Sequence, residues 1–340
     1  MKYFKQLSLL LFILFCQCMV GQDKNYILAL SKGSKKVVVY NYNTLDSVTA
    51  IPVEEDPHEI VTNNDGSLAY VSHPILNGAG HKISVVNLQT LRKEKTIDTK
   101  PFYTPHGLVY LNNKLWFTAQ GSKSVAVYNT QKDSIEQVFG TGQDFTHLLY
   151  VTPDGNRFYT TNVESGTVSI FEKKQLPPYM PPTGVLPANA KSRLEWRQVL
   201  VDVGPGAEGF DVSPDGKELW TARPDGFIVV VDLEKQKVKA TIDTHVLGLH
   251  RLKIMPDGQT VCIVSVKTGD LLYYNRQTHK LEQQMNIGKG AGIYMDKASN
   301  RMFVSCTPDN YIVVIDLNTR KVIKKLHVSR PDGVTSVRVQ

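Results

Sequence analysis

The sequence AEGFDVSPDGKELWTARPDGFIVVVDLEKQKVKATID, residues 207–243, contains four short strand patterns separated by turn signals. An alternating segment leads into Pro214-Asp215-Gly216, and an apolar segment, a glycine turn, a Val-rich segment and a last alternating segment follow. Proline sets the backbone of the first central turn position, and glycine accepts a positive φ without steric cost. Short apolar runs bounded by such turns are typical of β-strands. The stretch therefore predicts a unit of four strands.

The same order of segments recurs along the chain. Successive copies begin at one aligned position, here called the histidine column, which comprises residues 58, 106, 147, 208, 250, 291 and 332. These positions are 48, 41, 61, 42, 41 and 41 residues apart, and four-stranded repeats of about forty residues are typical of propeller blades. The first copy lacks an innermost strand, which residues 331–340 can supply. We predict an all-β, seven-bladed β-propeller whose C-terminal strand pairs into blade 1 and closes the ring.

The N-terminus has the pattern of an export signal. Two lysines precede an apolar run at residues 7–15, which is shorter than the roughly 20 residues that a bilayer span needs. We predict a signal peptide at 1–21, a single propeller domain at 22–340, and an exported protein in the periplasm or outside the cell. Acylation of Cys16 or Cys18 is the alternative; only such a lipoprotein would be held at a membrane.

Charge and cysteine content narrow the expected partners. Loss of residues 1–21 removes Lys2 and Lys5 and lowers the formal net charge from +7 to +5. Aromatic residues interleave with lysines in several strands, but a propeller core uses aromatics for packing, so we do not expect a nucleic-acid partner. Cys262 and Cys306 lie at different heights of neighbouring repeats, so no disulfide is expected between them. The closed ring predicts a monomer.

Several pieces of the repeats, YVSHP, FTAQG, YTTNVESGTVSIF and VVVDLEKQKVKATI, resemble the YVTN-type repeats of exported bacterial seven-bladed propellers. The resemblance covers the whole mature chain and implies the propeller fold. It implies no single activity, because similar repeats occur in surface-layer and periplasmic binding proteins, a heme-carrying propeller domain and lactonase-like enzymes. The chain lacks Cys-x-x-Cys-His, so we expect no covalent c-type heme.

The histidine column is the main candidate site. Nine histidines in 340 residues predict about 0.2 in any seven positions, whereas four occupy this column. The innermost strand of a propeller blade lines the central channel, so the column should surround one channel mouth. In blade order its residues are Asp332, His58, His106, His147, Glu208, His250 and Ala291.

A second column, at the end of the second strand of each blade, is expected to surround the first. It consists of Ser31, His73, Gln120, Asn162, Arg223, Val266 and Cys306. Together with two residues of the connecting turns, the predicted ligand-binding residues are Arg223, His73, His81, Gln120, Asn162, Lys267 and Asp332. Arg223 is the strongest candidate for binding a carboxylate or phosphate, because a guanidinium binds such groups with two hydrogen bonds.

Three interpretations of the histidine column remain open. In the first, His58, His106 and His147, with Glu208 or His250, bind zinc, iron, copper or manganese, since imidazole and carboxylate are ligands of these ions. In the second, the histidines, Arg223 and Lys267 form a cationic site for an anionic small molecule. In the third, the blades inherited the residue by duplication and bind nothing there.

Residues 173–196 form a proline-rich insertion in blade 4, which we expect to be a loop on the face opposite the histidines. We expect first an insertion that is tolerated because it lies on the surface, and the alternative is a docking segment for a protein partner. A second insertion, HPILNGAGHK in blade 2, lengthens a turn on the histidine face. The function expected first is binding of a small ligand or metal ion in the cell envelope. The alternatives are a metal-dependent lactonase, hydrolase or lyase at the same site, and a protein-interaction scaffold.

Overall fold

The computed structural model describes residues 24–75 and 79–339, so the predicted signal peptide and part of the blade 2 insertion lie outside the described residues. Twenty-eight strands form seven antiparallel sheets of four strands each. The all-β, seven-bladed propeller prediction is confirmed. Within the described ranges, no helix is long and apolar enough to cross a membrane.

The strands have the following bounds. In blades 1 and 2 they are β1 Lys24–Ser31, β2 Lys36–Asn41, β3 Ser47–Pro52, β4 Ile60–Thr62, β5 Leu68–His73, β6 Lys82–Asn87 and β7 Arg92–Asp98. In blades 3 and 4 they are β8 Pro105–Leu111, β9 Lys114–Ala119, β10 Ser124–Asn129, β11 Ser134–Gly140, β12 Thr146–Val151, β13 Arg157–Asn162, β14 Thr167–Leu176 and β15 Arg193–Asp202. In blades 5 and 6 they are β16 Phe210–Val212, β17 Glu218–Ala222, β18 Phe227–Asp232, β19 Lys237–Asp243, β20 Leu249–Ile254, β21 Thr260–Ser265, β22 Asp270–Asn275 and β23 Leu281–Asn286. Blade 7 has β24 Gly292–Asp296, β25 Arg301–Cys306, β26 Tyr311–Asp316 and β27 Val322–His327, and β28 Pro331–Val339 is the innermost strand of blade 1. Single 3-10 turns follow β9 and β25, at Gln120–Ser122 and Thr307–Asp309.

The ring closes between the two ends of the described chain. Strand β28 pairs antiparallel with β1 from Lys24 opposite Val339 to Ser31 opposite Pro331. This pairing confirms the predicted closure and satisfies the inner edge of β1, which would otherwise expose unpaired backbone groups.

The hydrophobic core lies in layers between neighbouring blades. One cluster joins Ile27 and Ala29 of blade 1 to Phe303 and Ile312 of blade 7, and similar clusters join the other neighbours. The second and third strands of the blades are mostly buried, as in blade 5, where they read as the largely apolar runs ELWTA and FIVVVD. Outer strands such as β19 are mostly exposed and carry the charged residues.

Short turns at both ends of the blades follow from local sequence. At Pro214-Asp215-Gly216 the glycine has φ 68° and its N–H donates to the Ser213 carbonyl at 2.8 Å. In six blades the third strand ends at an Asn or Asp whose side-chain oxygen accepts backbone N–H groups two or three residues on, as Asn129 does for Gln131 and Lys132 at 3.0 Å. Such Asx turns specify a tight connection to the outer strand.

Blade 4 lacks this turn residue, and the loop predicted at residues 173–196 is shorter than expected. Glu172 occupies the position that pairs with the start of the second strand, where the other blades have Asn or Asp. The two strands therefore continue as a hairpin, with pairing up to Leu176 opposite Arg193. Of the predicted loop 173–196, only residues 177–192 lie outside strands.

The two remaining cysteines, Cys262 and Cys306, are both free and buried. Each side chain packs in the same apolar layer between blades 6 and 7. Burial raises the pKa of the Cys306 thiol to about 12, so this cysteine is not an activated nucleophile. The expectation that no disulfide joins them is confirmed.

Candidate functional site

The backbone adopts the same left-handed conformation shortly before six of the seven column residues. Two positions earlier the chain adopts a positive φ, and only two of these residues are glycines. The residues with positive φ are Asp56, Thr104, Phe145, Gly206, Gly248 and Arg330. A left-handed non-glycine residue costs about 1 kcal/mol or more, so the surrounding structure has to stabilise these turns.

Hydroxyl groups of the preceding blade supply part of that stabilisation. Each hydroxyl belongs to the penultimate residue of a second strand. It donates to the backbone carbonyl of the column residue in the following blade. The bonds are Thr118 Oγ1 to His147 O at 2.6 Å, Thr161 Oγ1 to Glu208 O at 2.8 Å, and Ser305 Oγ to Asp332 O at 2.5 Å. Neighbouring blades therefore hold the column backbone in place.

Glycines after the column residues let the innermost strands approach each other. The Gly209 N–H donates to the His250 carbonyl at 3.0 Å, and a Cβ at Gly209 would lie 2.3 Å from that oxygen. Gly333 makes the same bond to His58 O at 3.0 Å. This close approach places the column side chains around one narrow mouth.

All seven column residues line a single cavity of about 270 Å³. Four further residues complete the lining, namely Lys32, Phe145, Arg251 and Thr307. The column therefore lies where its repeat position predicts, and the other four residues were not predicted from the sequence.

One side of the cavity is a group of ion pairs around Lys32, here called the lysine group (Lys32, Asp56, His58 and Asp332). The Lys32 Nζ lies 2.7 Å from His58 Nε2, 3.1 Å from Asp332 Oδ2 and 3.5 Å from Asp56 Oδ1. His58 Nδ1 lies 3.3 Å from Asp56 Oδ1. Burial opposes ionisation of Asp56, but its hydrogen bond to His58 and the charge of Lys32 hold its pKa well below the ordinary value. Both nitrogens of His58 thus have partners.

The opposite side is a group around Glu208, here called the glutamate group (Gln120, His147, Glu208 and His250). His147 Nε2 lies 2.7 Å from Glu208 Oε1, and His250 Nε2 lies 3.2 Å from Glu208 Oε2. The Gln120 amide hydrogen-bonds to His147 Nδ1, and His250 Nδ1 donates to the Ala291 carbonyl at 2.9 Å. All four imidazole nitrogens of this group therefore have partners.

The pKa shifts within the glutamate group follow from burial and contact. Burial opposes the charge of Glu208, but interactions with His250 and His147 outweigh it and lower the pKa of Glu208 well below its ordinary value. Burial lowers the pKa of His147 to about 4, although Glu208 pulls it upward. Glu208 is therefore a carboxylate near neutral pH, and His147 is neutral.

His106 lies between the two groups and differs from the other histidines of the column. Its ring centroid is 4.7 Å from that of His58 and 3.9 Å from that of His147. The residue is 1 % exposed, and its Nδ1 is buried without a hydrogen-bond partner in the part of the chain that the structure describes. Burial, followed by the neighbouring imidazoles of His147 and His58, lowers the pKa of His106 well below its ordinary value.

A buried ion pair crosses the channel directly beneath the histidine column. Arg251 of blade 6 donates through Nη2 to Glu59 Oε1 of blade 2 at 2.8 Å. Arg251 and Asp332 also line a second cavity of about 170 Å³ deeper in the channel. There, Lys253 Nζ lies 3.4 Å from Asp211 Oδ1. The Arg251 side chain thus forms the floor of the mouth.

The second predicted column does not surround the cavity, which corrects the sequence analysis. His73 Nδ1 bonds to the Glu55 carbonyl and Nε2 to Ser84 Oγ, both at 2.9 Å. The Asn162 amide donates to Thr167 Oγ1 at 3.0 Å and Ser169 Oγ at 2.9 Å. The second strands lie one strand further from the channel than the innermost strands. The side chains at their ends therefore bond within and between blades. Gln120 alone among the predicted polar residues of this column contacts a column residue, through His147.

The three predicted cationic residues outside the column are also away from the cavity. Arg223 forms an ion pair with Asp225 and donates to the Val203 carbonyl at 3.2 Å. His81 Nδ1 lies 2.9 Å from Asp98 Oδ1, and Lys267 is exposed. None of the three lines the mouth.

Some missed residues left a signal in the sequence. The position after the column residue is glycine in four blades, but Glu59 and Arg251 occupy it in blades 2 and 6. These two residues have charges of opposite sign, and their blades face each other across the ring. The pattern therefore predicts an ion pair across the channel. Lys32 follows the second column in blade 1, and nothing in the sequence distinguishes it from a solvated turn lysine.

The residues present only partly fit a metal ion. Within residues 24–75 and 79–339, no group of three or more His, Cys, Asp or Glu side chains is arranged to hold one. Imidazole and carboxylate are suitable ligand types, but His58 and His147 already use their nitrogens on Lys32, Gln120 and Glu208. Among the column histidines, His106 alone has a buried ring nitrogen without a partner in the described ranges.

Comparisons with known proteins support the fold. No protein-family model matches the chain, and a search of curated protein sequences found no match. Among solved structures, hydrazine synthase of Kuenenia stuttgartiensis has 13% sequence identity and a TM-score of 0.65, covering 83% of this chain and 95% of that one. A candidate 6-phosphogluconolactonase of Bacteroides uniformis has 16% identity and a TM-score of 0.70, covering 93% and 100%. A functionally unknown protein of Desulfotomaculum acetoxidans has 12% identity and a TM-score of 0.69, also covering 93% and 100%. The chain is a seven-bladed β-propeller with lactonase-like structural neighbours, and identities this low bear on the fold alone.

Proposed function

We propose that this protein is exported to the cell envelope and binds a small ligand or metal ion at the histidine-lined mouth, with His106 as the principal contact. The signal pattern of residues 1–21 supports the location. The cavity, which all seven column residues line, supports the position of the site.

The observation that carries the proposal is the missing partner of His106. A buried polar group without a hydrogen bond destabilises a protein by roughly 1–3 kcal/mol. The neighbouring imidazoles of His58, His147 and His250 all have partners in the same mouth. A group that bonds to this nitrogen removes the penalty; because the nitrogen is buried, the ligand has to displace a neighbouring side chain to reach it.

Charge favours a neutral or cationic ligand over an anionic one. The Arg251–Glu59 pair is neutral as a unit. Lys32 faces two carboxylates, Asp56 and Asp332, and a third, Glu208, lies on the opposite side against His147 and His250. Three carboxylates and one lysine at the mouth offer more acceptors than donors, which favours ligands with hydroxyl or amine donors, or a metal ion.

A second candidate function is metal-dependent hydrolysis of a lactone or related ester. Three imidazoles and the Glu208 carboxylate meet at one open cavity, and the likeness to the candidate 6-phosphogluconolactonase supports testing a lactone. His106, His147, Glu208 and His250 are the residues that would hold the ion. A bound ion would lower the pKa of its water and polarise a carbonyl. His147 and His250 would each have to give up one of their present partners first.

Calorimetric titration of the mature protein tests the binding proposal. The probes are Zn²⁺, Cu²⁺, a neutral monosaccharide, a primary amine and D-glucono-1,5-lactone, each with wild type, His106→Leu and His245→Ala. His245 is the control because its side chain is exposed and does not line the cavity. Lactone hydrolysis is followed in parallel.

We expect at least one probe to bind wild type and the His245 variant at one equivalent. Its affinity should fall by about 30-fold in His106→Leu, the loss typical of a dominant contact. Binding that is equal in all three proteins would place the site elsewhere. Lactone turnover that depends on His106 and on added metal would favour the enzymatic alternative.

A further inference from the structure

The extended hairpin of blade 4 forms an unusual projection, here called the blade 4 hairpin (residues 173–197). Its two strands remain paired for four residues beyond Glu172. In the other blades the third strand ends at the equivalent position in an Asx turn. Trp196 fixes its base by packing against Phe139 and Phe158 at ring distances of 4.9 and 5.3 Å. The base of the hairpin is therefore packed against blades 3 and 4.

The tip exposes large apolar side chains. Tyr179, Met180 and Val185 are 72 %, 54 % and 70 % exposed, and Leu194 beside them is 63 % exposed. Four apolar residues exposed to this extent on one short segment are rare on a monomeric surface and mark an interaction site. The apolar side chains of the other blades are exposed singly or in pairs, on the outer strands or, for Leu247, in a loop.

The blade 4 hairpin also contains most of the net positive charge of the mature chain. Residues 173–197 contain five basic residues and one acidic residue, Glu195. Residues 22–340 as a whole have 37 basic and 32 acidic residues, so the hairpin accounts for +4 of a net charge of +5, although Lys174 pairs with Glu172, and Arg193 and Arg197 pair with Glu195. A cationic segment with exposed aromatic and aliphatic side chains is complementary to an anionic lipid surface.

The hairpin lies on the face opposite the histidine column. The Lys173 N–H donates to the carbonyl of Asn156 at 3.0 Å, and Asn156 lies in the turn that ends innermost strand β12 away from His147. A surface that holds the tip would therefore leave the histidine-lined mouth facing away from it.

We propose that the blade 4 hairpin docks the propeller on an anionic phospholipid surface, with the histidine mouth turned toward the aqueous compartment. Tyr179, Met180 and Val185 enter the headgroup region, and the basic residues contact lipid phosphates. This docking requires neither lipid attachment at the N-terminus nor a ligand in the mouth, so it stands independently of the proposed function.

Vesicle flotation of the mature protein tests the docking. One set of vesicles is pure phosphatidylcholine and the other contains phosphatidylcholine and phosphatidylglycerol in a ratio of about 7 to 3. The apolar variant is Tyr179→Ser, Met180→Ser, Val185→Ser, and the charge variant is Lys174→Gln, Lys191→Gln, Arg197→Gln. The control is Val322→Ser, Ile323→Ser, a pair of exposed apolar residues on the rim of blade 7.

Wild type and the rim control should bind the anionic vesicles and not the neutral ones, and salt at about 0.5 M should weaken binding. The charge variant should bind about 100-fold more weakly, since each basic residue near an anionic surface contributes about fivefold. The apolar variant should lose the binding that remains at high salt. All substituted residues are exposed, so the variants should unfold at the wild-type temperature.

Orientation is tested with a dye on Thr183→Cys at the tip or on His245→Cys near the mouth, because Cys262 and Cys306 are buried. A quencher within the bilayer should quench the first dye and not the second. Absence of wild-type binding to anionic vesicles at low salt overturns the proposal. Binding of both hairpin variants as strong as that of wild type also overturns it. Capture of a protein through Tyr179, without vesicle binding, would overturn it in favour of a protein partner.

Discussion

His106 and His73 are both buried histidines of this propeller, yet the structure gives them different roles. His73 bonds through both ring nitrogens within blade 2, to the Glu55 carbonyl and Ser84. His106 has an unpaired Nδ1 and lines the mouth. Burial lowers the pKa of both residues. Hydrogen bonding, and not residue type or burial, distinguishes these two histidines.

Removal of the cation of the lysine group should have the largest effect on stability. Lys32→Met leaves Asp56, His58 and Asp332 without their shared cation. Removing one partner of a largely buried ion pair costs about 3 kcal/mol, so the midpoint of urea unfolding should fall clearly. The same change frees His58 Nε2, and uptake of Zn²⁺ at the mouth should increase. Unchanged stability would mean that the lysine group is solvated.

His73→Leu tests the structural histidine. The substitution leaves the Glu55 carbonyl and the Ser84 hydroxyl without partners, which costs about 2 kcal/mol. Urea unfolding should show this loss, while ligand affinity at the mouth should stay within about twofold of wild type, since the altered contacts lie outside the cavity. A loss of affinity without a loss of stability would reverse the roles assigned here.

The pH dependence of stability should reflect the same histidine. Burial lowers the pKa of His73 to about 4, whereas an unfolded histidine titrates near 6.5. Between these values the unfolded state binds more protons, so stability should decrease as the pH falls from about 6.5 to 4, by about 1.4 kcal/mol per pH unit for this group. His73→Gln should show a shallower slope in urea unfolding followed across that range.

His106→Leu should have the smallest effect on stability. It replaces a buried group that lacks a partner with an apolar side chain, which costs little or stabilises. We expect a change of less than about 0.5 kcal/mol in either direction. A loss as large as that of His73→Leu would show that His106 makes structural bonds in solution and would remove the basis for its role in binding.

The repeat pattern was sufficient to predict the blades, the ring closure and the position of the histidine column. Turn residues such as Pro214-Asp215-Gly216 act locally, and the period fixes which residues meet at the channel. Glu172, in place of Asn or Asp, could also have predicted the extended hairpin of blade 4, because the Asx turn depends on a short side chain.

The details of the site depend on side-chain directions that the repeat does not contain. The second column was expected around the mouth, but His73 and Asn162 point into the blades because their strands end one layer out. Lys32 reaches His58 across a blade boundary, and no sequence spacing predicts such a contact. The proposed metal ligands were grouped by position alone, without the partners that already bind His58 and His147.

Native mass spectrometry tests the central claim most directly. Mature wild type, His106→Leu and His73→Gln are purified without tag or chelator and measured before and after incubation with the same ions and small molecules. We predict a 1:1 complex in wild type and His73→Gln that is lost in His106→Leu. Equal complexes in all three proteins, or no complex in any of them, would contradict the claim that His106 is the contact of a ligand site.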